Sequence, residues 1–292
     1  MTHHRPYIGR FAPSPTGRLH LGSMVAAVAS WLDAKVHGGR WLVRMEDLDP
    51  PREVKGAADD MLRTLEGFGL TWDGPVLYQS HRHEAYRAAL DSLIDSDLAF
   101  GCACTRKVLA DADGLEVYPG FCRDGLPHGV APRAWRFKMP SGPAVTWDDR
   151  IQGLQSAERE AIGDVTVLRA DGHWAYHLAV VVDDAAQGIT DVVRGADLLS
   201  STRAHVALQS ALGVPAIQYA HVPVLRNEQG QKLSKQTKAD PVEVKHASRV
   251  LSNVFEHLSL TESSQVLLDD PAAMLKIAQA EWRARWMKEE WG

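Results

Sequence analysis

Apolar residues recur at three- and four-residue intervals over 21–36, 54–68 and 83–96, the spacing that lines one side of a helix. Leu62, Leu65 and Phe68 share one such side, and Tyr86, Leu90, Leu93 and Ile94 another. Shorter apolar runs alternate with these helices. Residues 7–11 (Tyr-Ile-Gly-Arg-Phe) and 40–47 (Arg-Trp-Leu-Val-Arg-Met-Glu-Asp) read as buried strands, the second ending in acids at the edge of a site. Gly38-Gly39 closes the helix between them, so the two strands are expected to be parallel.

From about 100 to 168 the pattern changes. All three cysteines fall here, Pro and Gly multiply, and 135–138 and 165–168 have the look of short strands, so an inserted α+β module is expected. The α/β pattern resumes at 174–182, ends in Asp183-Asp184, and continues through 189–195 to complete the sheet. Beyond 232–235 the chain becomes helical. Leu275, Ala278, Trp282 and Trp286 recur at three- and four-residue steps, a stripe that reads as core packing. The expected organisation is a main α/β unit in two pieces, 1–99 and 171–225, an insertion at 100–170, and a helical region at 226–292.

A chain of 292 residues exceeds the size at which one core stops growing, which fits a main domain with an insertion. Hydrophobic residues at 45% and charged residues at 24% are those of a soluble globular protein. The first residues lead straight into 7–11 with no basic region and apolar stretch, which favours the cytoplasm. With 32 Lys and Arg against 37 Asp and Glu, the net charge of −5 does not advertise a nucleic-acid binder. Any RNA contact would come from local patches. One candidate is 225–250, where six Lys/Arg face three acids, although charge alone would suit an ordinary solvated loop.

Chemistry enters at the first strand-to-helix junction, Arg10-Phe11-Ala12-Pro13-Ser14-Pro15-Thr16-Gly17-Arg18-Leu19-His20-Leu21-Gly22-Ser23. Ligands of α/β sheets bind where strands feed helices, and a helix N-terminus offers unpaired N–H groups to phosphate. Gly22 lets a nucleotide approach the backbone, and His20 is able to donate to a phosphate oxygen. Residue by residue, a rigid loop with a capping histidine explains the stretch equally well.

The whole stretch, however, resembles the HIGH motif of class I glutamyl-tRNA synthetases. Further on, Tyr176-His177-Leu178-Ala179, Val181-Val182-Asp183-Asp184, Gly188-Ile189-Thr190 and Val193-Arg194-Gly195 stand in that family's order, and Lys232-Leu233-Ser234-Lys235-Gln236 resembles its KMSKS loop. The resemblance implies a Rossmann-type parallel sheet that binds ATP between the two loops, with His20, Gly22, Lys232 and Lys235 on the phosphates and Mg²⁺ accompanying them. His20 and Lys235 would be the main catalytic groups and Lys232 a weaker one. Glutamate carries one ammonium and two carboxylates, so its pocket needs an acid and several cations or hydroxyls. By the resemblance, Arg10 and Tyr176 would take the side-chain carboxylate, Glu46 the ammonium and Arg194 the other carboxylate, with Phe11, Ala12, Pro13 and Ser14 lining the pocket. One departure stands out: Val180 occupies the place where full-length synthetases carry asparagine.

Cys102, Cys104 and Cys122 lie within 21 positions, and in a cytosolic protein a structural metal is the leading reading of such a cluster. Zinc prefers four ligands. The resemblance points to Tyr118 as the fourth, His128 is a rival on general chemistry, and three inert buried cysteines are the alternative. Only 56 residues follow Gln236, too few for the anticodon-binding domain of an ordinary glutamyl-tRNA synthetase. The resemblance is therefore to a truncated paralogue of that family. It implies a monomeric enzyme that activates L-glutamate without tRNA and attaches it to the queuosine base in the anticodon of tRNA(Asp). Two other readings stay open: a tRNA(Glu) synthetase that borrows anticodon recognition from a partner, and a non-catalytic paralogue that binds tRNA or glutamate.

Overall fold

A computed structural model describes residues 5–110, 117–225 and 240–286. Strand β1 (Ile8–Phe11) enters helix α1 (Leu21–Val36), and β2 (Arg40–Met45) returns parallel to β1. The turn between α1 and β2 needs both glycines for different reasons. Gly38 has φ +63°, the left-handed conformation, and a Cβ on Gly39 would lie 2.5 Å from the carbonyl oxygen of Tyr7. Helix α2 (Ala57–Gly67) leads to β3 (Leu77–Tyr78), parallel to β2, and then to α3 (His83–Asp95). All three expected helices form, and the expected parallel pair is present.

Residues 99–168 split between two sheets. Strands β4 (Ala99–Cys102), β5 (Ala134–Phe137) and β8 (Thr166–Leu168) form a separate antiparallel sheet, flanked by the short helices α4 (Arg106–Ala110) and α5 (Arg159–Ile162). The hairpin β6 (Val145–Asp149) and β7 (Gly153–Ala157) instead belongs to the main body. There β6 runs parallel to β10 (Gln218–Val222), which pairs in parallel with β9 (Asp191–Gly195). Helix α6 (Tyr176–Ala186) precedes β9, and α7 (Leu199–Ala211) joins β9 to β10.

The two parallel groups meet at β1 and β9. The backbone N–H of Thr190 donates to Ile8 O at 2.9 Å, and the Thr190 hydroxyl accepts from the Ile8 N–H at 2.7 Å. The spatial order is therefore β3-β2-β1-β9-β10-β6-β7, and the order in which successive strands are added reverses between β1 and β9. Crevices at such a reversal are where doubly wound sheets bind ligands.

Helix α1 is buried nearly all round, from Met24 to Val36, because the sheet covers one side and the C-terminal helices cover the other. Those are α8 (Ala247–His257), α9 (Thr261–Ser264) and α10 (Pro271–Trp286), whose Leu251, Phe255, Leu275, Ala278 and Trp282 share one core with Val28, Leu32 and Trp41. The stripe on α10 is thus core packing, with the Trp286 ring tilted against Trp282 at a centroid distance of 5.9 Å. Asp33, in the middle of α1, joins the layers: it accepts from the Tyr7 hydroxyl, from both Nη atoms of Arg150, and from Trp282 Nε1 at 3.1 Å. Among the described residues no helix is long and apolar enough to cross a membrane.

Candidate active site

A cavity of about 440 Å³ opens at the β1/β9 reversal, against the N-terminus of α1. Its wall carries Arg10 and Phe11 from β1, Ala12, Pro13 and Ser14 from the following loop, His20 and Gly22 from the start of α1, Glu46 from the end of β2, Tyr176 from the first turn of α6, and Arg194 from β9. All ten residues expected to meet glutamate or ATP in these segments therefore face one space. Lys232 and Lys235 lie outside the described residues, as does most of the basic stretch 225–250. Val180 is buried within α6 and does not line the cavity.

His20 caps α1, and its Nδ1 accepts the Ser23 N–H at 3.2 Å. A neutral imidazole used this way carries its proton on Nε2, a donor suited to a phosphate oxygen. Beside it the first turn of α1 supplies the N–H groups and partial positive charge of a helix start.

The charged side chains divide into two groups. Arg10 pairs with Asp184 through Nε at 3.3 Å and Nη2 at 3.4 Å, and Arg44 donates from Nη1 to the same carboxylate at 2.6 Å. Arg44 also reaches Gln187 Oε1 at 2.9 Å and Glu46 Oε1 at 3.4 Å. Burial pushes the Asp184 carboxyl up, but the two guanidinium groups pull it net below its ordinary range. Glu46 ends on the other side: burial raises its pKa more than Arg44 and Arg10 lower it. A neighbouring ammonium would favour the anion and oppose that shift.

Arg194 has no such ion pair among the described residues, although it is 4% exposed. Its Nε donates to His221 Nε2 at 3.0 Å, Nη1 to the Tyr176 hydroxyl at 3.0 Å, and Nη2 to Thr202 Oγ1 at 2.8 Å and Leu198 O at 3.3 Å. His205 Nδ1 lies 3.5 Å from Nη2. Burial, followed by the charge of Arg194, pushes His205 well below its ordinary pKa and His177 to about 4, so both are neutral at neutral pH. A buried cation surrounded by neutral acceptors, at the edge of a cavity, is a site for an anion.

The family model described as tRNA synthetases class I (E and Q), catalytic domain, matches residues 8–115 and 128–252. The glutamyl-Q tRNA(Asp) synthetase of Chromobacterium violaceum is 58% identical over 258 residues, 86% of this chain and 86% of its own. That of Dechloromonas aromatica is 52% identical over 293 residues, 98% of this chain and 94% of its own. The chain belongs to this family of class I tRNA synthetases. Among solved structures, the glutamate-tRNA synthetase of Elizabethkingia anophelis superposes with a TM-score of 0.71 at 32% identity, covering 80% of this chain and 53% of that one. The glutamate tRNA ligase of Elizabethkingia meningosepticum, crystallised in complex with its amino acid, gives 0.71 at 31% identity, over 80% and 52%. The chain thus spans about half the length of these solved synthetases. Its parallel sheet and α/β body are the class I catalytic fold, and the chain is a ligase of that class.

Two further features lie on the family's fold beside the first cavity. A second cavity of about 570 Å³ shares Ser14, Glu46 and Tyr176 with it, and continues between Leu48, Asp49 and Arg52 on one side and Tyr118, Arg136 and Asp164 of the β4-β5-β8 unit on the other. Next to Tyr118, which lines this cavity, the Sγ atoms of Cys102, Cys104 and Cys122 lie within 4.8 Å of one another. The Tyr118 hydroxyl is 3.5 Å from Cys102 Sγ and 3.6 Å from Cys104 Sγ, and Cys104 and Cys122 Sγ are 3.6 Å apart. A tetrahedral zinc with S ligands at about 2.3 Å and O at about 2.0 Å sets S···O at about 3.5 Å and S···S at about 3.8 Å. The four donors therefore fit a zinc ion. The Cys122 N–H also donates to the Tyr118 oxygen at 2.9 Å, whereas His128 is exposed and outside the cluster.

Motif reading missed Arg44, Asp184, Thr202, His205, His221 and Asp149. Asp184 and Arg44 sit inside or beside the quoted motifs, where a paired acid and base could have been suspected. His221 and Asp149 carry no local signal, because they meet Arg194 only once three strands are laid side by side.

Proposed function

We propose that this ligase activates L-glutamate with ATP, without tRNA, and transfers the glutamyl group to the queuosine base in the anticodon of tRNA(Asp). The observation that carries the glutamate assignment is Arg194, a buried guanidinium with neutral partners that faces a cavity also lined by Glu46. Arg194 and Tyr176, joined by their own hydrogen bond, take the side-chain carboxylate together, whereas the motif reading alone pairs Tyr176 with Arg10. The reacting carboxylate then keeps its nucleophilicity, since it is not neutralised by the buried cation. Glu46 receives the α-ammonium, and Arg10, its charge shared with Asp184, completes the wall with Phe11, Ala12, Pro13 and Ser14.

In the first step a glutamate α-carboxylate oxygen forms a bond to the α-phosphorus of ATP, the bond to the bridging oxygen breaks, and pyrophosphate leaves. His20 Nε2–H, the start of α1 and the backbone at Gly22 stabilise the charge on the phosphoryl oxygens, with Mg²⁺ on the phosphates. Lys232 and Lys235 supply further positive charge to the same phosphates. In the second step a hydroxyl of the modified base attacks the glutamyl carbonyl carbon, AMP leaves, and the hydroxyl proton passes to solvent or to the departing phosphate. The second cavity, which meets the first at Ser14, Glu46 and Tyr176, supports an acceptor approach from the β4-β5-β8 side. The β4-β5-β8 unit serves as the inserted module on that approach, and Cys102, Cys104, Tyr118 and Cys122 would hold a structural zinc that stiffens it.

The test is transfer of labelled glutamate to queuosine-containing tRNA(Asp), queuosine-free tRNA(Asp) and tRNA(Glu). Label is expected on the first alone. Label on tRNA(Glu) in preference to queuosine-containing tRNA(Asp) would overturn the acceptor assignment.

A further inference from the structure

Three buried side chains from neighbouring strands form a line that ends at the cavity. Arg194 of β9 and His221 of β10 are register partners, and β10 in turn lies beside β6, which ends in Asp149. The relative exposures of Arg194, His221 and Asp149 are 4%, 0% and 3%. No substrate group reaches the last two, which do not line the cavity.

The hydrogen bonds run in one direction. Asp149 Oδ1 accepts three backbone N–H groups, from Ile151 at 3.1 Å, Gln152 at 2.9 Å and His221 at 3.1 Å. Its other oxygen, Oδ2, lies 2.5 Å from His221 Nδ1. Arg194 Nε is a permanent donor and points at His221 Nε2, so that nitrogen must be the acceptor. The imidazole is therefore neutral with its proton on Nδ1, directed at Asp149, and Thr202 Oγ1, 3.1 Å from Nε2, is placed to donate to the same lone pair. Burial, the first cause, and the nearby Arg194 hold the His221 pKa below its ordinary value, in agreement with a neutral ring.

We propose that Asp149 and His221 are positioning residues that orient Arg194: the backbone fixes the carboxylate, the carboxylate fixes the imidazole tautomer, and the imidazole turns the guanidinium so that Nη1 faces the substrate carboxylate. The proposal rests on the glutamate reading of the cavity given above. Of the five N–H groups of Arg194, Nε and both on Nη2 are spent on the protein, and Nη1 serves Tyr176 and the cavity.

Asp149→Asn breaks this line with almost no change in shape. The amide oxygen still accepts the three backbone N–H groups, but its NH₂ replaces Oδ2 and donates to His221 Nδ1. The imidazole proton must then move to Nε2, where it meets the Arg194 Nε–H donor to donor. In glutamate-dependent pyrophosphate exchange the variant is expected to raise the glutamate KM about tenfold or more, with the ATP KM unchanged and kcat much less affected. Glutamate KM equal to that of the wild type overturns the proposal, as does an equal rise in both KM values, which would mark a purely structural role.

A second measurement is independent of activity and of whether Asp149→Asn folds. In ¹⁵N-histidine-labelled wild-type protein at neutral pH, the signal lost in His221→Gln is expected to be that of an Nδ1–H tautomer. An Nε2–H tautomer or an imidazolium at that position overturns the proposal. If the wild type shows no glutamate-dependent exchange at all, the glutamate reading fails while this signal still reports on the positioning line.

Discussion

At the scale of single residues, the site separates charge that the protein has already neutralised from charge held for a ligand. Arg10 and Arg44 share Asp184, whereas Arg194 contacts neutral groups only among the described residues. Removing one partner of a buried charged hydrogen bond costs about 2–5 kcal/mol. Arg194→Ala is therefore expected to lower kcat/KM for glutamate about thirtyfold or more, with the ATP KM unchanged; a drop shared equally by both substrates would count against the assignment. Glu46 behaves oppositely. Its folded pKa lies above its unfolded one, so the ionised form disfavours folding at neutral pH, and that penalty disappears as pH falls through the folded value. Glu46→Gln should thus abolish exchange yet leave Tm at pH 7 unchanged or higher, and a fall of several degrees would show that Glu46 serves stability rather than substrate. The residues legible from the sequence were those carried by contiguous motifs, Arg10 to Ser14, His20 and Gly22. Glu46, Tyr176 and Arg194 were legible only through the resemblance, and Asp149 and His221 not at all, since their partners lie 72 positions apart.

At the scale of elements, periodicity identified α1, α3 and the stripe of α10 because each buries a continuous face against one core. It misplaced β6 and β7, whose alternating exposure puts Val145 and Asp149 inward in a stretch rich in Gly and Pro, so that an edge hairpin of the main sheet read as part of the insertion. The elements are joined by buried carboxylates. Asp33 links β1, α10 and the turn after β6, Asp149 links that turn to β10, and Asp184 links α6 to β1 and β2. Burial pushes all three carboxyls up, yet Arg150 for Asp33, His221 for Asp149, and Arg10 and Arg44 for Asp184 leave each folded pKa below the unfolded value. Their stabilisation is complete above the unfolded pKa and is lost as pH falls through the folded values. Thermal melting followed downward from pH 7 should decline chiefly below about pH 4, the unfolded carboxyl range; a decline centred near pH 6 would indicate that histidine protonation dominates. For the β4-β5-β8 unit, protein prepared with zinc should carry close to one equivalent, and Tyr118→Phe should release it to chelators more readily. Zinc content below half an equivalent would remove the metal from the account.

At the scale of the whole molecule, a net charge of −5 leaves RNA affinity to local surface, and the geometry suggests where that surface leads. The two cavities meet at Ser14, Glu46 and Tyr176, so on the proposed function an activated glutamate in the first would be accessible to an acceptor arriving through the second, between the main sheet and the β4-β5-β8 unit. The class I body was legible from motifs at both of its ends, while the abutment of β1 on β9, which makes the crevice, depends on Thr190 and on pairing across more than 180 positions. The glutamate recognition proposed above uses groups that already line one cavity before any RNA binds. It is tested most directly by ATP–pyrophosphate exchange with the purified protein in the absence of tRNA. The expected result is exchange with L-glutamate and none with L-glutamine at the same concentration; exchange that appears only after tRNA(Glu) is added would contradict it.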